Sequence, residues 1–312
     1  MRPLALVLIL CSLLHLHGMK IPGTLGKVEK LTKMKVEAPK APKVAKARVA
    51  VKSEVKSESC DVETSFKSVL QEAEGLVTRG GWEVGRGLQH LVDVEPRFKL
   101  LIGTHRIPKT YSGSSHNPLP TPASEHFHSL LKIIIYQQLS AKSAAPIFTR
   151  FLAACSLPTD AYIQPSHVQP KFLVTLVEGK RKVLYDGKIT GLSESKAKYI
   201  QDLAAHFLNP DRLQGRDLST LSDDELRTRL LGVKGLGQWS VDMFMLFDLH
   251  RSNVLPIGDL GVRRGIALLH NLPPKHFETK KSQEQLPPLC AKWAPYASLA
   301  TCYMWKLGPS AD

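Results

Sequence analysis

From about residue 62 onward the apolar residues recur mostly at helical spacing, and strand-like alternation is scarce. A stripe of that period is buried only when helices pack on one another, so the expected fold is all-α, a helical bundle. Within 123–139, Phe127, Leu130, Leu131, Ile134 and Ile135 fall on one face. Gly and Pro punctuate between such segments, and serines mark their starts. Ser193 precedes 194–207 as an N-cap, and Ser222, followed three residues later by Glu225, has the capping-box spacing ahead of Leu226, Leu230 and Leu231. The Ser, Pro, Asn and Thr residues of 111–123 read as a loop, which leaves 82–110 as an outer helical layer joined to the main body. No internal repeat is visible.

Charge divides the 312-residue chain. It carries 42 Lys and Arg against 28 Asp and Glu, a formal net charge of +14, and this favours a polyanionic partner, nucleic acid first and an anionic membrane surface second. Residues 19–58 hold eleven Lys or Arg against four Glu, half of that net charge, and no aromatic residue precedes Phe66. Such a stretch cannot bury enough apolar surface to offset the entropy of ordering, so 19–61 is expected to be a disordered basic tail. Its two readings are a sequence-blind contact to phosphate backbones, with Lys-rich pieces acting in nuclear import, and a solvated linker without a partner. Ahead of it, Arg2 and the apolar run 4–14 look like a secretory or organellar leader, or else a gene-model extension with Met19 as the working start. The five cysteines, at 11, 60, 155, 290 and 302, show neither C-x-x-C pairs nor cluster spacing, which points to a reducing compartment without a structural metal cluster.

The most informative block is Leu-Leu-Gly-Val-Lys-Gly-Leu-Gly-Gln-Trp-Ser-Val-Asp-Met-Phe, starting at Leu230. A helix is expected to end near Gly232, a tight turn to carry Gly235 and Gly237, and a second helix to begin near Gln238. Glycines there permit positive φ and the close approach of another backbone, and the amides of Val233, Lys234, Gly235 and Gly237 are candidates to face a phosphate. An ordinary helical hairpin needing glycine for its turn is the plainer reading of two glycines alone. Asp259 follows 22 residues beyond Gly237, at the head of the next helix, in Pro-Ile-Gly-Asp-Leu-Gly-Val-Arg-Arg-Gly from 256 to 265.

With these residues the sequence resembles the helix-hairpin-helix superfamily of DNA glycosylases, and within it the 3-methyladenine DNA glycosylase II branch. Residues 133–144, Ile-Ile-Ile-Tyr-Gln-Gln-Leu-Ser-Ala-Lys-Ser-Ala, look like that branch's early helix, and 293–305, from Trp293 to Trp305, look like its last. The likeness spans about residues 85–307, with the motifs in the right order, so 62–312 is taken as one glycosylase domain. There are two departures. Residues 177–190 look like an insertion ahead of Gly-Leu-Ser-Glu-Ser-Lys at 191–196, either a surface loop or a mis-spliced piece, and Ala297 stands where the family commonly has Arg.

The resemblance implies a catalytic role for Asp259, whose carboxylate would stabilise the oxocarbenium charge that develops on deoxyribose and help orient or deprotonate water. Asp at a helix start is also a plain N-cap, and the two roles are compatible. Bifunctional relatives carry a Schiff-base Lys two residues after the second hairpin glycine. Here that residue is Trp239, so a monofunctional enzyme without a lyase step is expected. Trp239 and Tyr136 are the candidate walls of a pocket for a flipped cationic base, with Phe127 behind them, and each of the three also reads as core. Gln137, Gln138 and Leu139 lie where relatives insert a wedge into the duplex, Gln138 being the closest positional match and Leu139 its neighbour.

The expected activity is therefore excision of alkylated purines from duplex DNA in base excision repair. The alternative is a non-enzymatic helix-hairpin-helix DNA-binding protein. No cofactor and no catalytic metal are expected; the partner is double-stranded DNA with damaged bases rather than a membrane, the protein acts as a monomer, and its location is the nucleus unless 1–18 directs it elsewhere.

Overall fold

The computed structural model describes residues 54–112, 123–168 and 171–307. The expected leader and nearly all of the expected basic tail lie outside the described residues. Three helices come first: α1 (Glu54–Glu72), α2 (Val84–Val94) and α3 (Phe98–His105). Helix α1 starts ahead of residue 62, where the helical core was expected to begin. The Ser65 hydroxyl of α1 donates to the Gly103 carbonyl of α3 at 2.9 Å, at a crossing where a Cβ on Gly103 would already stand 3.3 Å from that hydroxyl.

A second group follows. Helices α4 (Ala123–Tyr136) and α5 (Ala141–Ala154) lead into three short strands, then α6 (Glu194–Phe207), α7 (Asp223–Leu231) and α8 (Gln238–Phe247). The chain then returns to the first group with α9 (Leu260–Leu269), the short α10 (Lys280–Gln283) and α11 (Leu286–Cys290), and α12 (Ala297–Leu307). One half of the molecule is thus built from both ends of the described chain, with α9 and α12 packed on each other and α12 against α2 and α3. The other half is the intervening segment. Residues 82–110 bury one face on the main body: Leu88, Leu91, Phe98 and Ile102 are fully buried, and Phe98 meets Trp293 and Tyr303 edge to face at 5.5 and 6.2 Å between ring centres.

The expected stripe on α4 is fully buried, from Phe127 through Ile135, and Phe127 lies 5.3 Å from Phe207. Ser193 and Ser222 cap their helices, accepting from the Lys196 and Glu225 amides at 3.2 and 3.3 Å. The return arm of the expected capping box is replaced, because the Glu225 carboxylate turns to the Arg229 guanidinium at 2.8 Å.

Residues 177–190 are largely strand rather than a surface loop. Strands β1 (Phe172–Val177), β2 (Lys180–Tyr185) and β3 (Lys188–Ile189) form an antiparallel sheet in which Phe172 pairs with Tyr185, Val177 with Lys180 and Leu184 with Ile189. Both turns have two residues with positive φ, Glu178-Gly179 at 50° and 71° and Asp186-Gly187 at 50° and 76°, the geometry that follows strand twist in tight hairpins. Tyr185 and Val183 are buried, and Phe151 stacks on Phe172 at 5.9 Å, so the base of the sheet is part of the core.

Candidate active site

Asp259 is the N-cap of α9, and its carboxylate is fully buried. Oδ1 accepts from the Val262 amide at 2.9 Å and from the Trp305 indole at 3.1 Å, and Oδ2 accepts from the Trp239 indole at 2.8 Å. All three partners are N–H groups that only donate, so the carboxylate meets no competing acceptor. Both indoles are half-buried, so the carboxylate lies beneath two aromatic side chains, one from each half of the molecule.

The sequence of α9 and the loop before it fixes this position. Gly261 and Gly265 face α12, where a Cβ on Gly265 would stand 2.1 Å from the Met304 carbonyl oxygen and one on Gly261 3.1 Å from the Trp305 ring. Only glycine lets the two helices come close enough for the Trp305 indole to reach Asp259. The loop entering α9 is pinned to α12 as well. The Val254 amide donates to the Ser298 hydroxyl, and the Thr301 hydroxyl donates to the Val254 carbonyl, both at 2.9 Å. Arg263 closes the loop by donating to the Ile257 and Gly258 carbonyls at 3.0 and 2.8 Å. Ala297, where the family pattern has Arg, is buried at the first turn of α12.

The turn between α7 and α8 divides its amides between inside and outside. Val233 and Leu236 plug the core, and the Val233 and Leu236 amides donate within the turn to the Leu230 and Val233 carbonyls at 3.0 and 3.1 Å. The Lys234 amide donates to the Asp202 carboxylate at 2.8 Å, with its ammonium 3.9 Å from the same group. Of the amides named from the sequence, those of Val233 and Lys234 are thus already engaged, whereas Gly237 heads α8 with no side-chain cap, followed by the Gln238 and Trp239 amides. These three precede the first helical donor, Val241, and form the anion-attracting end of the helix.

The two glycines differ in what they permit. Gly235 has φ of +90°, and a Cβ there would fall 2.3 Å from the Tyr199 ring; Gly237 has φ of −94° and open space around it. We therefore expect Gly235→Ala to lower the melting temperature by several degrees, for about 2 kcal/mol of overpacking and strain, and Gly237→Ala to leave it within about 1 °C. Equal melting temperatures for the two variants, read by calorimetry, would contradict this geometry.

The wedge candidates sit in the turn after α4. Gln138 is exposed with φ of 61°, Leu139 is half-buried, and the Gln137 amide group donates inward to the Gly235 carbonyl at 2.7 Å and the Ser240 hydroxyl at 3.1 Å. Lys196 donates to the Ile135 and Gln137 carbonyls at 2.6 and 2.9 Å, and burial pulls its ammonium down to about 8. Gln138 is thus presented outward from a turn held on two sides. Tyr136 is 6% exposed, its hydroxyl pushed above its usual range by burial, and it is not among the hydrogen-bond partners of the Asp259 carboxylate. Phe127 is core.

Residues 131–292 match the family model described as HhH-GPD superfamily base excision DNA repair protein. The chain belongs to this superfamily. Among its relatives, DNA-3-methyladenine glycosylase 1 of Schizosaccharomyces pombe is 28% identical over 190 residues, which are 60% of this chain and 75% of that protein. A DNA-3-methyladenine glycosylase of Saccharomyces cerevisiae is 29% identical over 151 residues, 48% of each chain. A solved DNA-3-methyladenine glycosidase from Bacillus halodurans aligns with a TM-score of 0.53 at 26% identity, over 72% of this chain and 90% of that one. The S. pombe 3-methyladenine DNA glycosylase in complex with abasic DNA aligns at 0.50 and 24%, over 71% and 95%, and shares the fold.

Trp305 is the site residue that reading the HhH-GPD sequence pattern missed. It lies beyond the matched 131–292, in a helix whose other aromatic, Tyr303, packs as core, and only the tertiary structure brings it 46 residues back onto Asp259. Its ring also stacks on Phe247 at 5.8 Å. Phe247 in turn lines a cavity of about 370 Å³ with His128, Lys132, Phe148 and Tyr162. Burial lowers Lys132 to about 8 and, aided by Lys132, His128 to about 4, so near neutrality the cavity holds an ammonium and a neutral imidazole. The same lining also carries Arg79 and the carboxylates of Glu125, Asp160 and Asp248, so its charge alone does not decide against a cationic base. The indoles over Asp259 suit one better.

Proposed function

We propose that this HhH-GPD protein is a monofunctional DNA glycosylase that flips alkylated purines of the 3-methyladenine type out of duplex DNA and hydrolyses the N-glycosidic bond, leaving an abasic site. The observation that carries the reading is the buried Asp259 carboxylate held between two indoles at the junction of the halves. As the bond to the purine breaks, positive charge grows on the deoxyribose, and a carboxylate held at the head of α9 by the Val262 amide stabilises it. Water is the nucleophile, oriented or deprotonated by Asp259.

The carboxylate is fully covered in the free protein, so the extruded sugar reaches it only when an indole gives way. Trp239 and Trp305 then offer electron-rich faces to a base made cationic by alkylation, an attraction an ordinary purine lacks. The Gly237, Gln238 and Trp239 amides hold a backbone phosphate without reading sequence, and Gln138 fills the gap in the stack. Tyr136 supports the wedge turn from within the core. We assign action in the nucleus as a monomer, with residues 19–53 adding sequence-blind attraction to the duplex.

Among the described residues, no amine hydrogen-bonds to Asp259. Residue 239 is Trp, and Lys234 is drawn to Asp202. Incubation with methylated duplex is therefore expected to leave the strand intact until alkali is added, and borohydride is expected to trap no protein–DNA adduct. Nicking without alkali, or an adduct lost on Lys234→Met, would overturn the monofunctional reading.

A further inference from the structure

We propose that the β1–β2 hairpin is a second DNA-contacting arm, gripping phosphates of the duplex on the wedge side of the extruded nucleotide. The proposal rests on the glycosylase reading above and extends it to a surface outside the site.

Helix α6 carries the argument, because it runs directly behind the DNA-facing turns. Its Asp202 takes the Lys234 amide, its Tyr199 lies under Gly235, and its Lys196 holds the carbonyls of the wedge turn. Going toward the N-terminus, the next anchored side chain is Glu194, and it pairs with Arg181 of the hairpin at 2.8 Å. At 1.5 Å per residue, Glu194 lies roughly 3 Å of helix axis beyond Lys196 and about 12 Å beyond Asp202. Along the axis the order is hairpin tip, wedge turn, glycine turn, and around it Glu194 and Lys196 point about 160° apart, so the tip and the wedge turn flank α6 from opposite sides. A helix with its side chains is only about 10–12 Å across, which keeps the tip close to the wedge turn.

The tip has the chemistry for that contact. Lys180, Arg181 and Lys182 follow one another at the start of β2, with Lys180 and Arg181 exposed. By the strand register, Lys180 faces Val177 and Lys182 faces Thr175 on one side of the ribbon, and Arg181 with Leu176 lies on the other. Leu176 is 68% exposed although its side of the ribbon is the one that buries Val183 and Tyr185 nearer the base, so the tip projects past the helices that cover the rest. Arg181 is committed to Glu194, which braces the arm. Lys180 and Lys182 make no ion pair among the described residues and are the cations offered to phosphate. At the opposite end of the sheet, Lys171 pairs with Asp186 and Lys188 donates to the Ala153 carbonyl.

The test is a salt titration of binding to an undamaged duplex of about 25 base pairs, followed by anisotropy, which needs no excision. Lys180→Ala/Lys182→Ala is expected to weaken binding about tenfold or more at low salt and to reduce the slope of log K against log salt by about 1.8, since each neutralised phosphate contributes about 0.9. Lys171→Ala/Lys188→Ala is expected to leave both within error. Hydroxyl-radical footprints on a duplex with one central abasic site should lose protection on one flank of that site only in the first variant. An unchanged slope and footprint, or equal losses in the two variants, would overturn the arm while leaving the glycosylase reading in place. Wild-type protein that binds no duplex at all would overturn both.

Discussion

Asp259→Asn is expected to lower single-turnover release of alkylpurine by about a thousandfold or more while the protein stays folded and binds duplex at least as tightly as before. Asn is as good an N-cap as Asp, so the contact to the Val262 amide survives. The carboxamide has only one acceptor oxygen, however, and its amino group must then face an indole N–H, at a cost of about 1 kcal/mol or somewhat more. The fold absorbs that loss. What disappears is the negative charge that meets the developing cation, and with it the rate. Turnover within tenfold of wild type, in a protein with unchanged circular dichroism, would remove Asp259 from the chemistry.

The second large effect is structural. Gly265→Ala puts a methyl group 2.1 Å from the Met304 carbonyl oxygen and 2.6 Å from its carbonyl carbon, backbone atoms in the middle of α12 that have no rotamer to yield. Helix α9 must move off α12, and the move separates Asp259 from the Trp305 indole. We expect about 3 kcal/mol of destabilisation, a melting temperature lower by roughly 6 to 12 °C, and excision lost in the fraction that remains folded. A variant with wild-type melting temperature would show that the α9–α12 contact is looser than described.

Helices announced themselves in the sequence because each buries one face, and a 3.6-residue apolar stripe such as that of α4 survives in a linear reading. The glycine turn and Asp259 were legible through a motif. Their inequalities were not: Gly235 and Gly237 look alike on the page, and only the Tyr199 ring behind one of them makes it irreplaceable. The sheet was hidden because its outer part buries neither side and so breaks the alternation that marks a half-buried strand. Asp186-Gly187 and Glu178-Gly179, two-residue turns flanked by Val, Leu and Tyr, were the signal available. Trp305 was beyond reach for another reason. A tryptophan late in an apolar helix reads as core until packing shows that its N–H is aimed at a carboxylate from another helix.

The central claim is that this chain releases alkylated purines by hydrolysis. Chromatography of the bases freed from methylated duplex DNA by the full-length protein addresses it most directly. The account requires methylated purines in the supernatant, one abasic site left for each base released, and none above background with Asp259→Asn. Tight binding of the methylated duplex by wild-type protein with no base released would contradict it and leave a DNA-binding protein without the activity.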